Sequence, residues 1–394
     1  MSDLMQAETA LFKAVQQTLK KQPFQAPVDD ARMFYKLARE NGFSGMVFAY
    51  LDKTQLPKDV YFAFQKDFYL YNAQHEKQMH VVNDLTELFN THNIKHIFLK
   101  GVPLKTLYPE PYMRSMGDID VLIEGKDLKA AHKHLKANQY KNLFNSAQHD
   151  NFEHVNGMMI EVHPKLYKDF NDKYAPLFKD VWAQTAQEKG NRYSFNPEFE
   201  VSYLLYHMVK HFYGTGVGLR TVLDIGIYLQ AHKEKIDLET LTTMLQEASL
   251  YKFFQNMLVL NKRYFDIDVY PNLTKDAPMD ETLYKELTTY ILASGVHGKG
   301  TNFNAFVGRM GSGRLQNKGR LRFILALLFP SYASMKGIYP WLKYLPFLYP
   351  VTWGIRLFKL AVLKTRRSFR KFKQLFVKGE EVQKTTDLFE QLGL

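Results

Sequence analysis

Hydrophobic and polar positions divide the chain into regions of different periodicity. In residues 1–92, apolar side chains recur at helical spacing, and residues 58–93 contain neither Pro nor Gly, which predicts one long helix there. Residues 93–170 instead alternate short strand-like and helix-like runs. From about Asn171 the helical spacing returns, and Asn196-Pro197 has the form of a helix N-cap followed by a first-turn proline. Further helices are predicted over 237–265 and 280–293.

The alternating region predicts a small sheet with helices. Its runs are strand-like in "KHIFLKG", helical in "VPLKTLY", strand-like in "DIDVLIE" and helical in "KDLKAAHKHLKANQY". The segment "DNFEHVNGMMIEVH" predicts two strands joined at Asn156-Gly157, a pair that favours a type I′ hairpin turn with positive φ at both residues. The predicted fold class is therefore α+β, a small mixed-sheet core embedded in mostly helical N- and C-terminal regions.

The same patterns predict four regions along the chain. Residues 1–92 form a helical N-terminal region, residues 93–170 the α/β core, and residues 171–296 a helical bundle. Residues 297–394 begin with a Gly-rich linker and continue as a basic aromatic C-terminal region. The chain turns acidic beyond Gly379, where a final short helix is expected.

Composition and charge narrow the choice of partners. The chain has no cysteine, which excludes disulfide partners, thiol catalysis and cysteine-ligated metals, and suits a reducing cytoplasm. Its first residues lack the basic and apolar segments of a signal peptide. The net charge is +12, and residues 287–378 hold 17 Lys and Arg with no Asp or Glu. A mildly acidic body with a strongly basic C-terminal region indicates an anionic partner, either a membrane or a nucleic acid.

The basic C-terminal region favours a membrane surface. Its longest uninterrupted apolar run is seven residues, 323–329, whereas a transmembrane helix needs about twenty. Trp341 and Trp353 lie among lysines and arginines, and residues 354–373 have the pattern of a basic amphipathic helix. We therefore expect a cytoplasmic protein that is peripheral at the inner face of the membrane. RNA or other nucleic acid, and packing onto the protein's own body, are the alternatives.

Two acids open the strand-like run "DIDVLIE". Because side chains alternate along a strand, Asp118 and Asp120 share one face while Ile119 points to the other. Two carboxylates this close repel unless a cation lies between them, and a pair of hard oxygen ligands on a strand suits Mg²⁺. Glu161, in "MMIEVHP", supplies a third acid with apolar neighbours. A solvated strand end is the alternative interpretation of the Asp pair taken alone.

Three segments resemble a known family. "FLKG" (98–101), "YPEPYMRSMGDIDVLI" (108–123) and "IEVHPKL" (160–166) are similar to the uncharacterised nucleotidyltransferase-like group of the polymerase-β superfamily, whose pattern is hG[G/S], a helix, hDhDh and a later h[D/E]h. The likeness extends to 204–225 and, more loosely, to "FPSYASMKGIYPWLKYLPFLYP" (329–350) near the C-terminus. It implies transfer of a nucleoside monophosphate from NTP to a hydroxyl acceptor, which is left open among small molecule, glycan and RNA. A non-catalytic nucleotide- or nucleic-acid-binding module with a basic scaffold tail is the alternative.

The resemblance also implies roles for individual residues. Asp118 and Asp120 would bind catalytic Mg²⁺, or Mn²⁺, and Glu161 would be the third carboxylate, orienting or deprotonating the attacking hydroxyl. The turn at Lys100 and Gly101 would receive the nucleotide phosphates. The chain departs from the family pattern here, because Lys100 precedes the glycine and a valine follows it. Lys100 would supply a phosphate-binding charge in compensation.

Neighbouring charged residues are weaker candidates. Arg114 would contact a phosphate or neutralise the acidic cluster. His163 shares a strand face with Glu161, so it would support that carboxylate or simply pack in the strand.

Four residues of 204–225 have helical i, i+4 spacing. His207 and His211 have a spacing seen in metal ligands, but no further zinc motif accompanies them, which favours a structural or substrate-lining role. Arg220 and Asp224 would pair on their helix or, as the resemblance implies, line the substrate pocket.

Overall fold

The computed structural model describes residues 3–24, 30–145, 149–167, 172–296, 325, 329–362 and 379–394. The predicted Gly-rich linker and the second half of the predicted basic amphipathic helix lie outside the described residues. The predicted four-region division of the chain stays a prediction.

The N-terminal region is helical. Its helices are α1 Asp3–Leu19, α2 Ala31–Glu40, α3 Ser44–Val47 and α4 Lys58–Thr91. The long helix predicted over 58–93 is confirmed as α4, which runs without a break because no Pro or Gly interrupts it. Helix α2 begins where the Asp30 carboxylate accepts a hydrogen bond from the Met33 N–H.

A seven-stranded mixed sheet follows, which confirms the predicted α+β class. Its strands are β1 His96–Phe98, β2 Asp118–Ile123, β3 Tyr140–Asn145, β4 Asp150–His154, β5 Met159–His163, β6 Thr185–Lys189 and β7 Arg192–Phe195. Their order across the sheet is β3-β4-β5-β2-β1-β7-β6. The pairs β2·β5 and β1·β7 are parallel and the other neighbours are antiparallel.

Three of these strands correct the sequence prediction. The segment after residue 137 was assigned to a helix as far as Tyr140, but the helix, α6, spans Leu128–Ala137 and β3 begins at Tyr140. Strands β6 and β7 lie in a stretch predicted to be only helical. They form a hairpin around Gly190, which has a φ of +60°, and β7 joins the sheet through His96 and Arg192.

The hairpin predicted at Asn156-Gly157 is confirmed, but its turn type is not. Strands β4 and β5 pair antiparallel on either side of these residues, and the Gly157 N–H donates to the His154 carbonyl. Gly157 has a φ of +84°, whereas Asn156 is not among the residues with positive φ. The Asn156 side chain instead accepts a hydrogen bond from the Met158 N–H. Asn156 therefore stabilises the turn through its side chain, while its backbone stays outside the left-handed region.

The remaining helices surround the sheet. Between strands lie α5 Gly101–Lys105 and α6; after them come α7 Pro197–Phe212, α8 Leu219–His232, α9 Leu238–Glu247, α10 Tyr251–Phe265, α11 Pro271–Lys275, α12 Glu281–Ser294, α13 Tyr332–Ile338, α14 Tyr349–Val362 and α15 Gly379–Leu392. Short 3₁₀ helices span Lys53–Gln55, Pro111–Met113, Asp172–Phe178, Trp182–Gln184, Pro340–Lys343 and Pro346–Leu348. The described residues include no helix long and apolar enough to cross a membrane.

Two apolar cores hold these elements together. The smaller lies between the sheet, α4 and α6 and includes Ile119, Val121 and Ile160, the residues that flank the acids in sequence. The larger joins the N-terminal helices to α7–α12 and to Phe389 of the final helix α15. Because Ile119 and Val121 anchor β2 from one face, the acids of that strand are presented on the other.

Candidate functional site

A cavity of about 280 Å³ opens between the sheet and helices α7 and α8. Among the residues predicted as site residues, those that line it are Lys100, Gly101, Arg114, Asp118, Asp120, Glu161, His207, His211, Arg220 and Asp224. His163 lies beside it and lines a small neighbouring cavity that shares Lys100 and His207 with the first. The fold therefore brings together residues that are more than a hundred positions apart in the chain.

The sheet register places the three acids close to one another. Strands β2 and β5 run parallel, and Asp120 is paired with Glu161 across them. Paired residues project from the same face of a sheet, and Asp118, two positions before Asp120, projects from that face as well. Three carboxylates thus reach one cavity from two adjacent strands.

Asp120 is the most firmly held of the acids. It is buried, and its Oδ1 accepts hydrogen bonds from Lys100 Nζ at 2.9 Å and from His163 Nε2 at 2.8 Å. The His163 nitrogen is 3.6 Å from the nearest Glu161 oxygen. His163 was predicted to support Glu161 or to pack in the strand, but the carboxylate that it hydrogen-bonds is Asp120.

Burial and charge separate the pKa values of the three acids. Burial raises the pKa of Asp118, and the charge of Asp120 raises it further. Burial also raises that of Asp120, but Lys100 and the hydrogen bond from His163 outweigh it and hold the Asp120 pKa well below its usual range. Burial, and then the charges of Asp120 and Asp118, raise the pKa of Glu161 to about 7. Glu161 is therefore the acid whose proton is exchanged near neutral pH.

The Lys100-Gly101 turn forms despite its departure from the family pattern. Lys100 has a φ of +49°, a left-handed backbone that a residue with a Cβ adopts only when its surroundings enforce it. A Cβ on Gly101 would collide with Met116 Sδ, so glycine is required there. Lys100 precedes the first residue of α5, and its ammonium donates a hydrogen bond to Asp120 Oδ1.

Arg114 is paired with an acid outside the predicted cluster, and its predicted contact with a phosphate stays a prediction. Its guanidinium makes two hydrogen bonds of 2.9 Å to the carboxylate of Asp224, and the Tyr108 hydroxyl donates to the same carboxylate at 2.8 Å. Asp224 was predicted to pair with Arg220 or to line the pocket. It does line the cavity, and its bidentate partner is Arg114, which comes from the segment before β2.

The segment before β2 is fixed through three successive carbonyls. Lys105 Nζ donates to the Arg114 carbonyl at 3.0 Å, Arg220 Nη1 to that of Ser115 at 2.8 Å, and Gln78 Nε2 to that of Met116 at 2.6 Å. The three donors come from α5, α8 and α4. Lys105 is fully buried, and burial, followed by the charges of Arg114 and Arg220, lowers its pKa to about 7. This clamp sets the position from which Asp118 and Asp120 project.

The remaining candidates lie on the helical wall of the cavity. His207 and His211 have their Nε2 atoms 3.2 Å apart, and His211 Nδ1 is 2.7 Å from the Thr215 hydroxyl. Sequence reasoning missed His149 and Lys210, which also line the cavity. Lys210 lies between the two histidines in sequence and could have been found from that spacing. Nothing in the sequence around His149 marks it.

Comparison with known proteins gives a family. The model of the family described as "Uncharacterised nucleotidyltransferase" matches residues 27–266, which include the sheet, helices α2–α10 and all the residues that line the cavity except Val296. No curated protein and no solved structure matches the chain. The match covers more than half of the chain and includes the predicted site residues. The chain belongs to this uncharacterised nucleotidyltransferase family.

Proposed function

We propose that the protein is a Mg²⁺-dependent nucleotidyltransferase that moves a nucleoside monophosphate from NTP to a hydroxyl acceptor, with pyrophosphate as the other product. Family membership supports nucleotidyl transfer in general. The observation that carries the finer statement is that Asp118, Asp120 and Glu161 line one cavity from two paired strands. Small molecules, glycans and RNA are the acceptor classes to test.

The donor set fits Mg²⁺. Asp118, Asp120 and Glu161 offer hard carboxylate oxygens, and their repulsion is relieved when a cation binds among them. When bound, the ion would neutralise phosphate charge and hold the attacking and leaving oxygens in line.

The chain's own residues supply the rest of the mechanism. Lys100, Lys210 and Arg220 line the same cavity, and their positive charges complement a triphosphate. Glu161 would orient the acceptor hydroxyl and accept its proton, since a cation bound beside it favours its ionised form. The three hydrogen bonds to the carbonyls of residues 114–116 would hold Asp118 and Asp120 in place during the transfer. Phosphoryl-type transfer depends mainly on such positioning.

The test is incubation with Mg²⁺ and each NTP labelled at its α-phosphate, together with RNA, glycan and small-molecule fractions in separate reactions. We expect label to enter one fraction with release of pyrophosphate, and Asp118→Asn to reduce the rate about a hundredfold or more. Asp59→Asn, an exposed acid paired with Arg32, is the matched control and should retain the wild-type rate. Nucleotide binding without transfer to any fraction would favour the non-catalytic binding module.

We also propose that the C-terminal region contacts an anionic membrane surface. Between residues 329 and 362 several large apolar side chains are exposed, among them Tyr344 (84%), Phe347 (73%) and Phe358 (68%). They lie in a region rich in Lys and Arg, a combination suited to the headgroup layer of an anionic bilayer.

Vesicle flotation tests the membrane proposal. The wild type should float with phosphatidylserine vesicles and not with neutral phosphatidylcholine vesicles, and the triple change Tyr344→Ser, Phe347→Ser, Phe358→Ser should weaken flotation. No flotation of the wild type at low salt would contradict the proposal. If the wild type fails to float but binds RNA under the same conditions, nucleic acid is favoured as the anionic partner.

A further inference from the structure

Two histidines and a glutamate come together at the sheet side of the cavity. His149 Nδ1 is 3.4 Å from Glu161 Oε2, and His163 Nε2 is 3.6 Å from the same oxygen. One ligand atom from each of these side chains lies within 4.8 Å of the other two. Within the described part of the chain, this is the one group of three or more His, Cys, Asp or Glu side chains that meets that limit.

The sheet topology explains why the three side chains meet. Strands β4 and β5 are antiparallel, with Asn151 opposite Glu161. Extending this register by two residues places His149 opposite His163, and because side chains alternate along a strand, His149, Glu161 and His163 all project from the same face. The two imidazole rings lie 5.2 Å apart between centroids.

The distances match those between the ligands of a metal ion. Zinc and similar ions bind imidazole nitrogen and carboxylate oxygen at about 2.0–2.1 Å, so two ligands of a tetrahedral site lie about 3.3–3.4 Å apart. The separations of 3.4 and 3.6 Å from Glu161 Oε2 are close to this value. They are longer than an ordinary hydrogen bond between nitrogen and oxygen, which is about 2.9 Å.

The chemistry of the group selects a class of ion. Two imidazoles and one carboxylate suit Mn²⁺, Fe²⁺, Co²⁺ and Zn²⁺, whereas Mg²⁺ and Ca²⁺ prefer oxygen ligands alone. We propose that His149, Glu161 and His163 bind a first-row transition-metal ion, at a position that shares Glu161 with the proposed Mg²⁺ site of Asp118 and Asp120. This centre is a property of the protein's own ligands and does not depend on the proposed transfer reaction.

The surrounding charges are compatible with a bound cation. Lys100 and Lys210 are close enough to affect Glu161, but Asp118 and Asp120 affect it from the same cavity with the opposite sign. Without the ion, His163 Nε2 donates a hydrogen bond to Asp120 Oδ1 at 2.8 Å. Metal binding at that nitrogen replaces the proton and leaves Asp120 as an adjacent anionic neighbour of the ion.

Cobalt is the probe that tests this centre without any substrate. Metal-free protein is titrated with Co²⁺, and binding is followed by calorimetry and by the visible absorption of a nitrogen-ligated ion. We expect one Co²⁺ per chain, retained in an excess of Mg²⁺. His149→Asn and His163→Gln should each weaken binding about tenfold or more, Asp118→Asn should weaken it less than either, and the exposed-histidine control His80→Gln should bind as the wild type does.

Two results would overturn the proposal. One is Co²⁺ binding unchanged in the His149→Asn variant, whose partly exposed side chain can be replaced without opening the core. The other is binding that is lost in Asp118→Asn and displaced by Mg²⁺, which would place the ion at the Asp pair. Since no nucleotide is present, neither result depends on whether the protein transfers nucleotides.

Discussion

Arg114 and Asp224 form a buried, two-point ion pair that joins the segment before β2 to helix α8. The two residues are 110 positions apart in the chain, and both line the cavity. The pair therefore couples the strand that carries the acids to the helical wall that faces them.

Breaking this pair should destabilise the protein strongly. Asp224→Asn leaves the Arg114 charge buried near Arg220 and Lys105, so we expect the free energy of unfolding to fall by about 3–5 kcal/mol. The double change Arg114→Met, Asp224→Leu should cost less than the sum of the single changes. Urea unfolding measures all three, and Asp59→Asn in the exposed pair with Arg32 should cost at most about 1 kcal/mol. Additive losses would show that the pair is not coupled.

Lys105 should make stability rise with pH. Its pKa is about 7 in the folded protein, below the value near 10.5 of a free lysine. Between these values the unfolded chain binds more protons, so stability increases as pH rises through this window and is independent of this group below it. The slope approaches about 1.4 kcal/mol per pH unit. The free energy of unfolding, measured between pH 6 and 10, should rise with this slope in the wild type and lack this contribution in Lys105→Met. The exposed control Lys129→Met should show the same pH dependence as the wild type.

Glu200 should make the stability of the protein fall as pH rises. It is buried on α7, its Oε1 has no hydrogen-bond partner among the described residues, and burial raises its pKa to about 8. The folded protein therefore holds a proton that the unfolded chain releases above about pH 4.5, and stability falls as pH rises from about 4.5 to 8. Glu200→Gln should remove this fall, making the variant the more stable protein at pH 8. An equal pH dependence in Glu200→Gln and wild type would refute the assignment, and Glu87→Gln controls for loss of an exposed acid.

A side chain at Gly101 should destabilise the protein. Its missing Cβ leaves room for Met116 Sδ, so Gly101→Ala should lower the free energy of unfolding by about 1–3 kcal/mol through overpacking. Gly125→Ala is the matched control, since no atom lies within 4 Å of the added Cβ. Thermal unfolding compares the two, and equal losses would mean that the turn is not tightly packed.

Local pattern predicted the parts of the fold that depend on neighbouring residues. Alternation in "DIDVLIE" placed Asp118 and Asp120 on one face, and the same rule applied to β5 placed Glu161 and His163 together. Helix α4 was predicted because its periodicity is uninterrupted over 34 residues. The resemblance of these segments to a family was confirmed over residues 27–266.

Contacts between distant segments could not be predicted in the same way. The short hairpin of β6 and β7 has only a weak alternating pattern. Its place in the sheet depends on the pairing of β7 with β1, in which Arg192 lies opposite His96, 96 positions earlier in the chain. The ion pair between Arg114 and Asp224 and the hydrogen bond from buried Lys105 to Gln78 also depend on tertiary packing. Such contacts produce no periodic pattern in the sequence. His149 reached the site only through the register of β4 and β5.

A crystal structure with a non-hydrolysable NTP and Mn²⁺ tests whether Asp118, Asp120 and Glu161 form the metal and nucleotide site. Anomalous scattering locates the ion independently of the protein atoms. We predict an ion at ligand distance from oxygens of Asp118 and Asp120, with the triphosphate in the cavity beside Lys100. No ion at the Asp118 and Asp120 oxygens, or a nucleotide bound outside the cavity, would show that these residues are not the metal and nucleotide site.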